Sequence, residues 1–425
     1  MTIDELKDEL KSKGKAARLA AKELANLTTS IKNQALVNLA EDLERKSIDI
    51  ISANKNDIRF ATEKGISEDI VDRLLINKER LKIIASGVYN IANLPDPIGE
   101  IFDKHKLSNG LEVSRVRVPI GIIGSIYESR PNVTIDISAL CLKSGNSVIL
   151  RGGSEAIHSN TALTKLVRES IVKAGGPKDA VQLIESTDRT TVTEMLKMKE
   201  FIDLMIPRGG ADLIKFVSKT AHMPSITGGV GVCHLYVDNL ADPQKSVEII
   251  HNSKMQRPSV CNALDTLLIH SAIADSYLPS IARKLGSSVE IRCDQAALAI
   301  LSKDSQLKLK AVTDKDWDTE HLSLTISVKT VDSFEEALIH IDKHGSGHTE
   351  AIVTENNSIA QKFVNNVDAS MVLVNASTRF NDGAQIGLGA EVAISTGKLH
   401  ARGPMGLKEL TSYKWTVFGN GQVRN

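Results

Sequence analysis

Apolar residues recur at helical spacing over the first 95 or so positions. Ala35, Leu36, Leu39, Ala40 and Leu43 fall at i, i+1, i+4, i+5 and i+8, and "EDIVDRLLINKERLKIIASGVYNIANL" carries the pattern to a stop at Pro95 and Pro97, which predicts a helical opening. The period then changes to two in "HKLSNGLEVSRVRVPIG", where Asn109-Gly110 makes a two-residue turn flanked by Val113, Val116 and Val118, a hairpin signal over 105–119. From 120 to 220 short β-branched runs feed amphipathic helices: "GIIGSIY", "SVILRGG", "AVQLI" and "FIDLMIPRGG". A second such series follows with strands at "VCHLYVD", "ALDTLLIH", "LSLTISVKTV", "EAIVTE" and "SMVLVNA". Both series predict an α/β fold built on parallel sheets with helical crossovers. Glycine content alone places the division near "SITGGVG", 225–231.

Two strand ends share a design. "VILRGG" and "MIPRGG" each run from an apolar strand through Arg-Gly-Gly into a helix, so Arg151 with Gly152, Gly153 and Ser154, and Arg208 with Gly209 and Gly210, bring a guanidinium, free backbone N–H groups and a positive helix end to one spot. That suits a phosphate, although ordinary strand-to-helix turns with solvated arginines would read the same, and neither turn matches GxGxxG. The four cysteines differ in context. Cys141 lies in an apolar helical run and Cys233 in an alternating strand, both core settings; Cys293 in "EIRCDQAAL" is ambiguous. Cys261 follows Arg257-Pro258 in "MQRPSVCNALDT", a loop that can present a thiol to a cleft. Composition leaves it open between filler and nucleophile. The glycine-rich "NASTRFNDGAQIGLGAEVAIS" after "SMVLV" reads as a binding rim or a plain surface loop.

Charge and length narrow the class. Lys+Arg and Asp+Glu number 52 each in 425 residues, so no net charge pulls the chain toward nucleic acid or an acidic membrane and small-molecule chemistry is favoured, while the length predicts two or three domains. No apolar run reaches the roughly 18 to 20 residues of a bilayer span, and the charged start "MTIDELKDELKSKGK" lacks a signal peptide's apolar core; a cytoplasmic protein is expected. The cysteines show no CxxC pair and the 11 histidines no ligand spacing, which argues against a metal site and a disulfide framework.

The order of motifs resembles the aldehyde dehydrogenase superfamily from about residue 30 to the end. The stretches that carry it are "VPIGIIGSIYESRPNVTIDISALCLKSGNSVILRGGSEA", "IPRGGADLI", "MQRPSVCNALDTLLIH", "GSGHTEAIVTEN", "VNASTRFNDG" and "STGKLHARGPMGLKELTSYKW". The resemblance implies a Rossmann-type cofactor domain, an α/β catalytic domain and a small β oligomerisation arm. Residues 1–230 would hold the helical start and the NADP-binding domain, with the 105–119 hairpin joining the arm; 231–400 would be the catalytic domain, and 401–425 would return to the cofactor and arm region. It implies NADPH-dependent reduction of L-glutamyl 5-phosphate to L-glutamate 5-semialdehyde and phosphate, in proline biosynthesis. Cys261 matches the nucleophile, whose thioester accepts hydride. Arg151 and Ser154 match positions beside the adenine ribose and suit a 2′-phosphate; Arg208, Gly209 and Gly210 match the pyrophosphate turn, and Glu320 a glutamate on the nicotinamide ribose. Asn132 in "YESRPN" matches the oxyanion-hole amide, at a shorter spacing to Gly145-Asn146 than the relatives show.

Where hydrolytic relatives carry a water-activating glutamate before a Gly-Gly pair, this chain has Ile226 and Thr227 before Gly228-Gly229. An acyl group exchanged with phosphate needs no such base. The substrate's carboxylate and phosphate call for cations, and Arg130, Arg257 and Arg379 sit on the implicated loops. The resemblance further implies a homodimer or homotetramer and a transient complex with glutamate 5-kinase. A CoA-acylating aldehyde dehydrogenase and a non-catalytic partner subunit of that kinase are the rival readings.

Overall fold

The computed structural model describes residues 2–226, 228 and 230–424, so Thr227 and Gly229 of the expected domain junction lie outside the described residues. The chain forms two units: Met1–Ile226 with Gly387–Ala393 and Met405–Asn425, and Thr227–Ile386 with Ile394–Pro404.

The first unit opens with helices Ile3–Leu24, Thr29–Arg45, Ser47–Glu63, Glu68–Leu74 and Lys78–Asn93. Side-chain caps start them where the sequence offers them: Thr2 and Glu5 form a reciprocal capping box, and Thr28 accepts from Ile31 N. The apolar pattern from Glu68 onward, expected to continue unbroken, is interrupted at Leu75. Asn77 caps the next helix through Arg80 N at 2.8 Å, and Asn54 clamps the break, donating to Leu74 O and accepting from Ile76 N, both at 2.8 Å. Strands β1 (Ile101–Lys106) and β2 (Glu112–Pro119) form the expected hairpin, with Gly110 at φ +89° in its turn. Four parallel strands follow: β3 (Ile122–Tyr127), β4 (Ser147–Gly152), β5 (Val181–Leu183) and β6 (Leu204–Arg208), ordered β5-β4-β3-β6. Chain direction across the sheet reverses between β3 and β6, where α/β sheets bind ligands at their carboxyl ends. The first helix packs Leu6, Leu10 and Ala17 against Ile122, Ile126 and Met205 of this sheet, each fully buried side chain contributing about 1.5–3 kcal/mol if large.

The second unit is a seven-stranded parallel sheet. Its strands are β7 (Cys233–Val237), β8 (Leu264–His270), β9 (Glu290–Cys293), β10 (Lys308–Ala311), β11 (Thr325–Val331), β12 (Thr349–Val353) and β13 (Met371–Val374), ordered β10-β9-β11-β8-β7-β12-β13. The short β9 and β10 were not among the expected strands. Helices cover both faces: Leu235, Val237, Leu267 and Ile269 point into one core, while Tyr236, Leu268 and Ile352 point into another with Phe334 and Phe363. The ladder is irregular at the start of β7, where Cys233 pairs Leu264 but His234 pairs Thr266; Asp265 is the extra residue of a bulge. The short pair β14 (Ile394–Ser395) and β15 (Gly403–Pro404) belongs to this unit. The chain then returns to the first unit as β16 (Thr411–Phe418), an antiparallel neighbour of β2, giving a sheet ordered β1-β2-β16.

Candidate active site

In the first unit, the two Arg-Gly-Gly turns close the carboxyl ends of β4 and β6. Arg151 is 8 % exposed. Its Nη2 donates to Thr187 O at 3.3 Å, while its buried Nε has no partner among the described residues. Burial pulls the guanidinium's pKa down and Glu155 opposes that. A Cβ on Gly152 would stand 2.1 Å from Asn160 Nδ2 and 2.9 Å from the Tyr127 ring, so any larger residue would push both side chains aside. Gly153 and Ser154 lead through a 3-10 turn into the helix Ile157–Lys173. At the second turn, Gly210 N, at the start of helix Ala211–Thr220, donates to Glu128 Oε2 at 2.9 Å. A Cβ on Gly209 would lie 2.4 Å from the same carboxylate oxygen. The helix start therefore already holds an anion, contributed by the chain itself. A cramped glycine turn, a buried guanidinium with an unmet donor and a helix start holding a carboxylate all fit a phosphate-bearing cofactor.

Asn132 and Arg130 also belong to this unit. Asn132 opens the helix Asn132–Lys143 and its amide donates to Asp136 Oδ2 at 2.8 Å. Burial pushes Asp136 up to about 6, against that hydrogen bond and the charge of Arg208. Arg130 is exposed between β3 and this helix.

In the second unit, Cys261 is half-buried on the turn before β8, whereas Cys141, Cys233 and Cys293 are buried. Burial holds those three thiols up, Cys293 to about 12. The site gathers at the amino ends of four adjacent strands, β11-β8-β7-β12: Glu320 and His321 precede β11, Cys261 precedes β8, Gly231 and Cys233 begin β7, and His348 precedes β12. A Cβ on Gly231 would lie 1.8 Å from the Cys261 carbonyl oxygen, so only glycine allows the strand this close. The same oxygen accepts from Cys233 Sγ at 3.1 Å. Gly231 N donates to Glu320 Oε1 at 3.0 Å; burial pushes the Glu320 carboxyl up, and this bond opposes it.

Around that turn the rim loop is tied in. Asn262 Nδ2 donates to Asn381 O at 3.0 Å, and Asn381 Nδ2 donates to Thr349 Oγ1 at 2.8 Å and His348 O at 3.2 Å. Arg379 Nε donates to Gln256 Oε1 at 2.7 Å. Burial lowers the Arg379 pKa, Asp382 opposes it, and the charges of Arg257 and Cys261 both act on it. Of the expected substrate arginines, Arg379 thus stands within electrostatic reach of both Cys261 and Arg257.

Sequence reasoning missed what lies behind the turn. Lys254 is fully buried, its Nζ 3.7 Å from Asp265 Oδ1 and without a hydrogen-bond partner among the described residues. Burial drives both members toward neutrality, lowering Lys254 and raising Asp265 to about 6. Asp265 also accepts from His321 N at 3.0 Å and Cys233 N at 3.5 Å, so the bulge residue joins three strand ends. The sequence carries no clear trace of it: Lys254 stands seven positions before Cys261 on a largely polar helix, Pro243–Met255, where a lysine does not stand out.

The chain matches the aldehyde dehydrogenase family over residues 5–296. It is 53% identical over 417 residues to a gamma-glutamyl phosphate reductase of Dehalococcoides mccartyi, covering 98% of each chain. To that of Clostridium tetani it is 49% identical over 428 residues, covering 99% of this chain and 100% of the other. The crystal structure of gamma-glutamyl phosphate reductase from Thermotoga maritima superposes with a TM-score of 0.95 at 46% identity, covering 98% of this chain and 100% of that one. An acetylating aldehyde dehydrogenase from Geobacillus thermoglucosidasius shares the fold, with a TM-score of 0.72 at 18% identity and 99% and 98% coverage.

Proposed function

The chain belongs to the aldehyde dehydrogenase family, oxidoreductases of the aldehyde group, and we propose that it reduces L-glutamyl 5-phosphate to L-glutamate 5-semialdehyde with release of phosphate, a step of proline biosynthesis. The observation that carries this is the identity of about half over nearly the whole chain with relatives that bear one name.

Cys261 is the nucleophile. Its sulfur attacks the acyl carbon, the bond to the phosphate oxygen breaks, phosphate leaves, and a thioester remains on Cys261. Each acyl step passes through an oxyanion, for which the Cys261 backbone N–H is the donor we assign. Arg257, Arg379 and Arg130 are the groups that would supply positive charge for the departing phosphate and the substrate carboxylate, Arg379 being the one that feels the charge of Cys261. A nicotinamide dinucleotide, when bound, would supply a hydride to the thioester carbon, after which the C–S bond breaks to free the aldehyde and the Cys261 sulfur. Arg151, Gly152, Gly153 and Ser154 hold its adenosine end, the arginine answering a 2′-phosphate and so favouring NADP; Arg208, Gly209 and Gly210 take the pyrophosphate in place of Glu128, and Glu320 the nicotinamide ribose. Asn132 is the side-chain amide assigned to the oxyanion by its match to the relatives' motif. With Ile226 and Thr227 where a water-activating carboxylate would stand, the thioester is left to phosphate. The enzyme works in the cytoplasm as a homodimer or homotetramer assembled through β1, β2 and β16, and meets glutamate 5-kinase transiently.

The reverse assay tests this. Semialdehyde with NADP should generate absorbance of the reduced cofactor only when phosphate is added, and Cys261→Ala should abolish it. Turnover with CoA in place of phosphate, or without either, would reject the reading, as would full activity in Cys261→Ala.

A further inference from the structure

Cys233 reads as core filler in the sequence, yet its sulfur is spent on the nucleophile's backbone. It is fully buried as the first residue of β7. Sγ lies 3.1 Å from Cys261 O, 3.6 Å from Gly231 O and 3.9 Å from His348 Nδ1. His348 Nδ1 already has Thr349 Oγ1 at 2.7 Å, so the Cys261 carbonyl is the nearest acceptor for the single S–H. Burial, with Asp265, Glu350 and Cys261 adding to it and a hydrogen bond with Thr349 opposing it, raises the Cys233 thiol well above its ordinary range. The proton therefore stays on sulfur and remains available to donate.

We propose that Cys233 is a positioning residue: its thiol holds the Cys261 carbonyl and so fixes the turn that presents the Cys261 sulfur. A peptide group is planar and its C=O and N–H point opposite ways. A carbonyl held inward against Gly231 and Cys233 therefore aims the Asn262 N–H outward. The rest of the turn is fixed elsewhere, by Ala263 N donating to Val260 O at 3.0 Å and by Asn262 Nδ2 on Asn381 O. On the residue that bears the thiol, Cys233 supplies a hydrogen bond to the carbonyl.

This rests on Cys261 being the nucleophile, and the test separates the two ideas. Cys233→Ala removes the donor, Cys233→Val removes it while keeping volume, and Cys233→Ser restores a donor to the same carbonyl. In the phosphate-dependent reverse assay kcat should fall about tenfold in Ala and Val, within the roughly hundredfold that a 1 Å misplacement can cost, with KM for semialdehyde and phosphate within about twofold of wild type. Ser should recover most of kcat. Alkylation of Cys261 by iodoacetamide across pH, with Cys261→Ala as blank, should slow and shift its midpoint in Ala and Val but not in Ser. Thermal melts identify any variant that has lost its fold, and Val then replaces Ala. Unchanged kcat and alkylation in both donor-less variants would overturn the positioning role alone, as would Ser behaving like Val. Retained turnover in Cys261→Ala would overturn both ideas.

Discussion

His348 is fully buried at the amino end of β12, and burial drives its pKa down from 6.5 to about 4. The folded state holds it neutral while the unfolded chain binds a proton below about pH 6.5, so its contribution to stability is present above that pH and lost as pH falls toward about 4. At about 1.4 kcal/mol per unit the full loss is about 3 kcal/mol. His321, pushed to about 4, and His340, pushed to about 3, act in the same direction. Melting temperature should therefore drop on acidification from pH 7 to 4.5, and His348→Gln, which cannot take up the proton, should show a shallower drop. Equal slopes for variant and wild type would mean that the buried ring is protonated in the fold without cost. Cys261 and Cys233 are the same chemical group given opposite tasks by burial. The loop setting of Cys261 was legible in "RPSVCN", whereas the turning of the Cys233 sulfur onto another strand's carbonyl has no local signature.

Helices and long strands were legible because their signals are local: Ile122–Tyr127, Ser147–Gly152 and Leu264–His270 are apolar runs bounded by turn formers, and both Arg-Gly-Gly strand ends do open helices. Strand β10 failed because "KLKA" is short, charged and largely exposed at the sheet edge, and the break at Leu75 because its clamp, Asn54, lies a helix away. The gathering of Cys261, Gly231, Glu320 and His348 was illegible for a further reason. It follows from strand order, and Cys261 lies at the amino ends of the sheet instead of the carboxyl ends where α/β sheets usually bind ligands. Non-local capping is another hidden device. Asp57, on the helix Ser47–Glu63, accepts from His158 N at 3.1 Å and from Ser159 N at 2.8 Å, and so caps the helix that follows Arg151–Ser154. Asp57→Ala should cost about 1–2 kcal/mol and, by loosening the turn, weaken several-fold the NADP binding proposed for it, measured by thermal melts and fluorescence titration. A lower melting temperature with unchanged affinity would detach the cap from cofactor binding.

For the whole molecule, β16 presents what a single chain leaves uncovered. Its period of two sets Tyr413, Trp415 and Val417 on one face, 46 %, 52 % and 55 % exposed. Arg115 stacks over the Tyr413 and Trp415 rings at 4.7 and 4.5 Å, and Phe102 meets Tyr413 edge-on at 5.9 Å. These contacts stiffen the aromatic stripe and leave its outer surface in water. The strand also lies at the edge of its sheet, with unpaired backbone groups along one side. An aromatic stripe beside an open strand edge is the kind of surface a second copy covers, and a chain with no formal net charge does not repel its copy. Sedimentation should accordingly find the wild type as a dimer or tetramer at micromolar concentration. Trp415→Glu, placing a charge at the centre of the stripe, should shift it to smaller species with its far-UV circular dichroism unchanged, because the residue is half-exposed in the chain itself. A wild type that sediments as a monomer from about 1 to 100 μM, or a Trp415→Glu variant that assembles as well as the parent, would place the interface elsewhere.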